Sequence, residues 1–135
     1  MFTWSVSGCA LLRGPAPARA LDVDLPVSRA EAVRRTLTAF REQGYPIRSS
    51  LTSGLQPESE PFRQGDEAEV VFRATISGTS QASRVVLSGT YRKLLLRGVV
   101  RDDDVKPVQA SDDPLERKLW TRLEQLRLAI RMAPQ

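Results

Sequence analysis

The sequence predicts an α+β fold: a two-layer sandwich in the order β-α-β-β-β-α, with a four-stranded, mostly antiparallel sheet carrying both helices on one face. Three observations predict it. Two segments repeat apolar residues at helical spacing behind capping signatures, two others alternate apolar and polar residues, and the turn between those two is short enough for a hairpin. The bulk properties agree, because 135 residues suffice for one core and a mixture of 41% hydrophobic with 27% charged residues excludes a disordered or fibrous chain.

The elements follow in order. Leu21-Asp22-Val23-Asp24-Leu25 alternates strictly and is closed by Pro26, which makes it a strand with one face on the core. Ser28-Arg29-Ala30-Glu31 has the form of a capping box, in which Ser28 accepts from the Glu31 amide while the Glu31 side chain reaches back. Behind it Ala30, Val33, Leu37 and Phe40 make an apolar stripe, with Arg29, Arg34, Arg35, Thr38 and Arg41 opposite. Gly44 supplies the left-handed residue that ends this helix, and Pro46 prevents its resumption. Ile47, Ser49 and Leu51 alternate weakly as a second strand. Gly54 to Gly65, interrupted by Pro57 and Pro61, reads as a long loop.

The clearest strand is Glu67 to Ile76, with Ala68, Val70, Phe72, Ala74 and Ile76 on one face. A polar turn, Gly78 to Ser83, leads to Arg84 to Arg92, expected to pair antiparallel with an inward set of Val85, Leu87, Gly89 and Tyr91. Asp102 to Asp113, with five aspartates and a proline, reads as a solvated loop. Asp113 then caps the last helix, Pro114 occupies its first position and Glu116 completes the box. Its stripe is Leu115, Leu119, Leu123, Leu126 and Ile130, and Trp120 beside it is expected to be buried against the sheet.

Composition removes most chemistry. The chain has no histidine and a single cysteine, Cys9, which excludes His-based triads, His–Cys zinc sites, CxxC redox pairs and intramolecular disulfides. GxGxxG, GxxxxGK[ST] and Ser-x-x-Lys are absent, so the serines and threonines have neither a phosphate loop nor a paired base beside them. Asp102-Asp103-Asp104 lacks the alternate spacing, central glycine and closing glutamate of a calcium loop, and adjacent side chains in extended chain diverge. The expectation is a protein without catalytic residues, metal or cofactor.

A net charge of +4 raises the question of nucleic acid. Seventeen of the twenty basic residues are arginine, the acids lie in separate clusters, and Phe40, Phe72, Tyr91 and Trp120 fall on or beside apolar stripes. No basic face interleaved with exposed aromatics emerges, and no nucleic-acid partner is expected.

Met1 to Cys9 is uncharged and ends in Val6-Ser7-Gly8-Cys9, which resembles the bacterial lipobox, ahead of a Pro/Ala/Arg tether from Arg13 to Ala20. Eight residues supply neither a basic region nor a full apolar stretch, so the lipobox reading carries the expectation that translation begins upstream of Met1. The other reading of Cys9 is a small buried thiol. Residues 1–20 are accordingly read as a truncated signal with lipobox and tether, and residues 21–135 as one domain.

The order of elements from Leu21 to Met132, the tether behind Cys9, and the closing helix with Leu119-Trp120-Thr121-Arg122-Leu123-Glu124 together resemble the small envelope lipoproteins with a helix-grip-like domain similar to those of the outer-membrane assembly lipoprotein BamC. The resemblance implies that Cys9 is lipidated, that the domain faces the periplasm, and, with Ala10 rather than Asp after the cysteine, that it is sorted to the outer membrane. It implies no particular partner.

Two functions fit these features. One is a non-catalytic envelope module that docks on another protein. The other is a module that holds an apolar small molecule or lipid, with Gly89 and the apolar run Leu94 to Val100 lining its cavity. That run either extends the preceding strand or forms an apolar lip in which Leu94, Leu96 and Val99 make an exposed contact patch for a partner or ligand.

Overall fold

Alternation and capping place the elements. In the computed structural model, which describes residues 16–48 and 56–133, the order is β1 (Leu21–Leu25), α1 (Arg29–Glu42), β2 (Phe62–Gln64), β3 (Ala68–Gly78), β4 (Ser83–Leu95), β5 (Val100–Arg101), β6 (Lys106–Pro107) and α2 (Pro114–Met132). The expected α+β sandwich is present, with a single antiparallel sheet ordered β1-β4-β3-β2. β5 and β6 pair with the remainder of β4, so the sheet has six strands where four were expected.

β3 and β4 form the frame, paired from Ala68 opposite Lys93 to Gly78 opposite Ser83. One face of this hairpin is buried through Ala68, Val70, Phe72, Ala74 and Ile76 of β3 and Val85, Leu87 and Tyr91 of β4, the inward set that alternation predicts. Both helices cover that face. α2 contributes Leu115, Leu119, Leu123, Leu126 and Ile130, all buried, so its predicted stripe is the packed one. Trp120, expected in the core, is only half-buried beside it because it flanks that stripe.

α1 departs further from expectation. Its buried residues are Ala32, Arg35, Thr36, Ala39 and Phe40, while Ala30 is exposed and Val33 and Leu37 are half-buried. Small residues at 32, 36 and 39 let the helix axis approach the sheet closely, and the Thr36 hydroxyl is satisfied by the Ala32 carbonyl at 2.8 Å. Ser28 caps the helix as expected by accepting from the Glu31 amide at 3.1 Å. The Glu31 carboxylate does not reach back; it is taken by Arg34 (Nε to Oε1, 2.8 Å) and by Arg35, and the Arg34 hydrogen bond leads in holding its pKa down to about 2. At the other end Gly44, with φ of +86°, closes a Schellman motif: Tyr45 N donates to Phe40 O and Gly44 N to Arg41 O, while the Phe40 and Tyr45 rings meet edge to face.

The segment after α1 corrects the loop reading of Gly54 to Gly65. Residues 49–55, including Ser49 and Leu51 of the expected second strand, lie outside the described residues, and Ile47 makes a single bridge to Ser59. From Pro57 onward the chain runs along β3: Ala74 N donates to Pro57 O, Ser59 N to Phe72 O, and Phe62 pairs with Val70. Prolines 57 and 61 conceal the strand in the sequence: Pro57 opens the paired stretch and Pro61 stands just before β2, positions at which a missing N–H costs little of the ladder. The acidic loop is corrected likewise, since Lys106–Pro107 pairs with β4, Val108 N donates to Gly89 O, and Val108 is fully buried.

Gly89 marks the centre of the core. A Cβ there would lie 2.7 Å from Phe72 Cδ1, so the glycine makes room for the ring of its cross-strand partner and opens no cavity for a ligand. Phe72 in turn meets Phe62 and Tyr45 edge to face at centroid distances of 5.1 Å each.

Candidate functional site

Because both helices lie on one side of the sheet, its other face is open. Outward positions of β3 and β4 include Glu69, Val71, Arg73, Ser88, Thr90 and Arg92, and those of β1 are Asp22 and Asp24. Most charges there are paired: Arg84 with Asp24 at 2.7 Å, Arg73 with Glu58 at 2.8 Å, and Arg101 with Glu69 at 2.9 Å. Exposed pairs of this kind contribute little to stability, but they decide where uncompensated charge remains.

At the β5 end of this face lies a depression of about 270 Å³. Val71 and Thr90 form its floor, Pro61 one wall, Arg101 and Val105 the other, and Glu69 and Arg92 its upper end. Above it stands the β4–β5 hairpin. Leu94 is half-buried in the ladder opposite Arg101, so the strand continues past Arg92 as far as Leu95. The chain then turns through Leu96, Arg97 and Gly98, with φ of +51°, +57° and +88°.

Three consecutive left-handed residues require a reason, because this conformation costs a non-glycine residue roughly 1–2 kcal/mol. The geometry supplies one. Val99 N and Gly98 N both donate to the Leu95 carbonyl at 3.1 Å, and Gly98 is buried where an added Cβ would approach Arg63 Nη1 to 3.2 Å and Asp66 Oδ1 to 3.3 Å. The tip is folded down on the β2–β3 turn, and the fold directs Leu96 and Val99 outward, 74% and 81% exposed. Leu95, Val100 and Val105 are exposed beside them. The run Leu94 to Val100 is thus both of the alternatives: Leu94 belongs to the strand, whereas Leu96 and Val99 form the lip.

Elsewhere the polar groups are built into the fold. Glu116 is buried, and its carboxylate accepts from Tyr91 Oη at 2.8 Å, Ser111 Oγ at 2.6 Å and Gln109 Nε2 at 3.2 Å. Burial pushes its pKa up, but these donors outweigh burial and leave it below the usual carboxylate value. Burial and the hydrogen bond to Glu116 together push the Tyr91 phenol far up. A carboxylate held ionised in this way is a poor general base at neutral pH, and its oxygens are already occupied. Arg122 of α2 stacks 5.2 Å from the Tyr45 ring centroid and 5.0 Å from that of Phe62, and donates to Tyr45 Oη and Gln64 Oε1, which straps the helix to the edge of the sheet. Sequence reasoning placed Tyr91 only as an apolar core residue and Glu116 only as a cap; the hydroxyl–carboxylate contact joins residues 25 apart and has no local signal.

Among the described residues no group of three acidic, cysteine or histidine side chains is placed to hold a metal ion, and no helix is long and apolar enough to cross a membrane. Cys9 lies outside the described residues. The end of the tether is described: Ala18 O accepts from Ala110 N at 2.9 Å and Arg19 Nε donates to Gln109 at 3.3 Å. Comparison with known protein families and with curated proteins finds no match for this chain.

Proposed function

We propose that this chain is a non-catalytic docking module of the cell envelope, lipid-anchored at Cys9, periplasm-facing and held at the outer membrane, which presents the β4–β5 tip to a partner protein. The observation that carries the reading is the tip: Leu96 and Val99 project from a turn whose backbone is held in an unfavourable conformation, beside an open depression on an uncovered sheet face. Exposed aliphatic residues held at such a cost are retained for contact. The compartment and the kinship with BamC-like envelope lipoproteins rest on Val6-Ser7-Gly8-Cys9, the tether and the order of elements.

Two measurements test this. Intact mass of the mature protein from its host, expressed from the full locus, should show a diacylated N-terminal Cys9; a chain retaining Met1 and an unmodified thiol overturns the anchor. A photo-crosslinker at Arg97 should trap a defined envelope protein, and the Leu96→Ser, Val99→Ser double variant should lose that product while melting as the parent does. An unchanged crosslinking profile in the folded double variant overturns the docking role of the tip.

A further inference from the structure

The charge around the depression states what kind of partner segment fits it. Arg63, Glu69 and Arg92 occupy one cross-strand row on the open face, and Arg101 comes from β5 to bond Glu69. With the Asp66 carboxylate near Arg63 under the tip, three guanidinium groups therefore surround Glu69 and its carboxylate. That carboxylate is engaged by Arg101, while among the described residues neither Arg63 nor Arg92 has an ion pair. Directly opposed residues of neighbouring strands lie about 5 Å apart, so the surplus positive charge is concentrated on the row that edges the depression.

Immediately below that row the surface is aliphatic, with Val71 on the floor and Val105 in the wall, and above it project Leu96 and Val99. The aspartates nearest in sequence, Asp102, Asp103 and Asp104, lie on the loop between β5 and β6 and do not line the hollow. The volume of about 270 Å³ accommodates one or two side chains and is too small for a folded element.

We infer that the partner surface received here is an extended segment that presents an acidic residue flanked at two-residue spacing by aliphatic residues, with its carboxylate on Arg92 and its aliphatic side chains on Val71 and Val105 to one side and on the Leu96–Val99 tip to the other. This deepens the docking reading and rests on it. The two-residue spacing follows from the receptor, because cation and aliphatic floor occupy successive outward rows two residues apart, and an extended segment turns every second side chain to the same face. Electrostatic attraction sets the approach and register of such a segment, and apolar contact supplies most of its retention.

The test uses fluorescence anisotropy with the domain and three fluorescein-labelled peptides that repeat Val-Ser-Glu-Ser, Val-Ser-Lys-Ser or Ser-Ser-Glu-Ser, in which the first and third residues share a face when the chain is extended. The glutamate–valine peptide should bind best, and its binding should weaken as salt rises from about 0.05 to about 0.5 M. Arg92→Glu should weaken it about tenfold with no change in melting temperature, and Arg92→Gln, expected to weaken it less, serves where the charge reversal impairs folding. No binding up to about 1 mM peptide overturns the inference, as does equal binding of the lysine–valine peptide. Retained binding in both arginine variants but loss in Leu96→Ser, Val99→Ser overturns the acidic partner class and leaves docking at the tip intact. Binding to vesicles rich in anionic phosphatidylglycerol, with none to the peptides, assigns the surface to lipid and overturns it.

Discussion

Replacing Leu96 and Arg97 together by Asn and Gly should make the protein more stable and less able to dock. Both native residues are left-handed, with φ of +51° and +57°. Taking the lower figure of about 1 kcal/mol for each, some 2 kcal/mol of backbone cost is present at the tip. Asn and Gly adopt this conformation readily and are the pair favoured at successive left-handed positions. Against the gain stand about 0.5 kcal/mol for the extra freedom of glycine in the unfolded chain and about 0.5 kcal/mol for lost burial, because Leu96 is 74% exposed and buries only a fraction of its side chain. The net expectation is about 1 kcal/mol of added stability, or roughly 3–5 °C in melting temperature for a domain of this size. Urea unfolding should show the midpoint raised with an unchanged slope, while the variant no longer co-purifies with the protein that the Arg97 crosslinker traps in the parent. A variant equal to or less stable than the parent would refute the reasoning, since the turn would then hold no strain for contact to justify.

Three further outcomes follow from the packing. Gly89→Ala should cost about 1–2 kcal/mol, because its Cβ would meet Phe72 Cδ1 at 2.7 Å, and adding Phe72→Leu should recover part of the loss; additive costs in a double-mutant cycle by chemical denaturation would show that the two do not touch. Glu116 has its folded pKa below the unfolded value, so the stability it contributes is present above about pH 4.5 and is lost as pH falls through the depressed folded value; Glu116→Gln should flatten that acid limb, and parallel limbs in parent and variant would count against a buried ionised carboxylate. Arg122→Met keeps the stem against Tyr45 and Phe62 but removes the donors to Tyr45 and Gln64, and should lower stability by about 1 kcal/mol with the difference insensitive to salt; a strongly salt-dependent difference would mean that a carboxylate and not the rings holds the guanidinium.

What could be read in the sequence was local. Ser28, Gly44 and Asp113 act as caps through atoms within a turn of one another, and the inward sets of β3 and β4 follow from alternation, which needs no knowledge of neighbours. What could not be read depends on distant partners. β2 is hidden by Pro57 and Pro61, which are compatible with pairing because Pro57 opens the paired stretch and Pro61 stands just before β2, while between them Ser59 bonds β3 and Glu58 and Glu60 bond Arg48 and Pro46 on the other side. The buried face of α1 could not be assigned because Ala32, Thr36 and Ala39 are weakly hydrophobic; they are inside because a close approach to the sheet favours small side chains, not because water expels them. For the candidate site, the apolar content of Leu94 to Val100 was visible, but its division into strand and tip was not, since that division is set by Gly98 packing on Arg63 and Asp66 across the sheet. Arg92 and Arg63 had no signal at all among seventeen arginines until the register placed them on either side of Glu69.

The arrangement along β4 bears on how anchor and tip work together. β1, β6 and β5 pair in succession with one strand, β1 with residues 83–87, β6 with 90–91 and β5 with 94–95. The tether enters the domain at the junction between β1 and β6, where Ala18 bonds Ala110 and Arg19 bonds Gln109. The same short segment carries Gln109 and Ser111 to the buried Glu116 carboxylate, so the entry point of the tether is fixed to α2 through a group the core cannot leave unsatisfied. From Leu87, opposite the first residue of β1, to Leu95 at the foot of the tip is eight residues of strand, about 26 Å at 3.3 Å per residue. That strand is paired on both sides over most of this length, which makes it a stiff strut. The tip is therefore held at a fixed distance from the point where Ala18 and Arg19 join the domain. If Cys9 carries the proposed lipid, a partner segment at the tip meets a surface that β4 holds at that distance from where the N-terminal segment enters the domain.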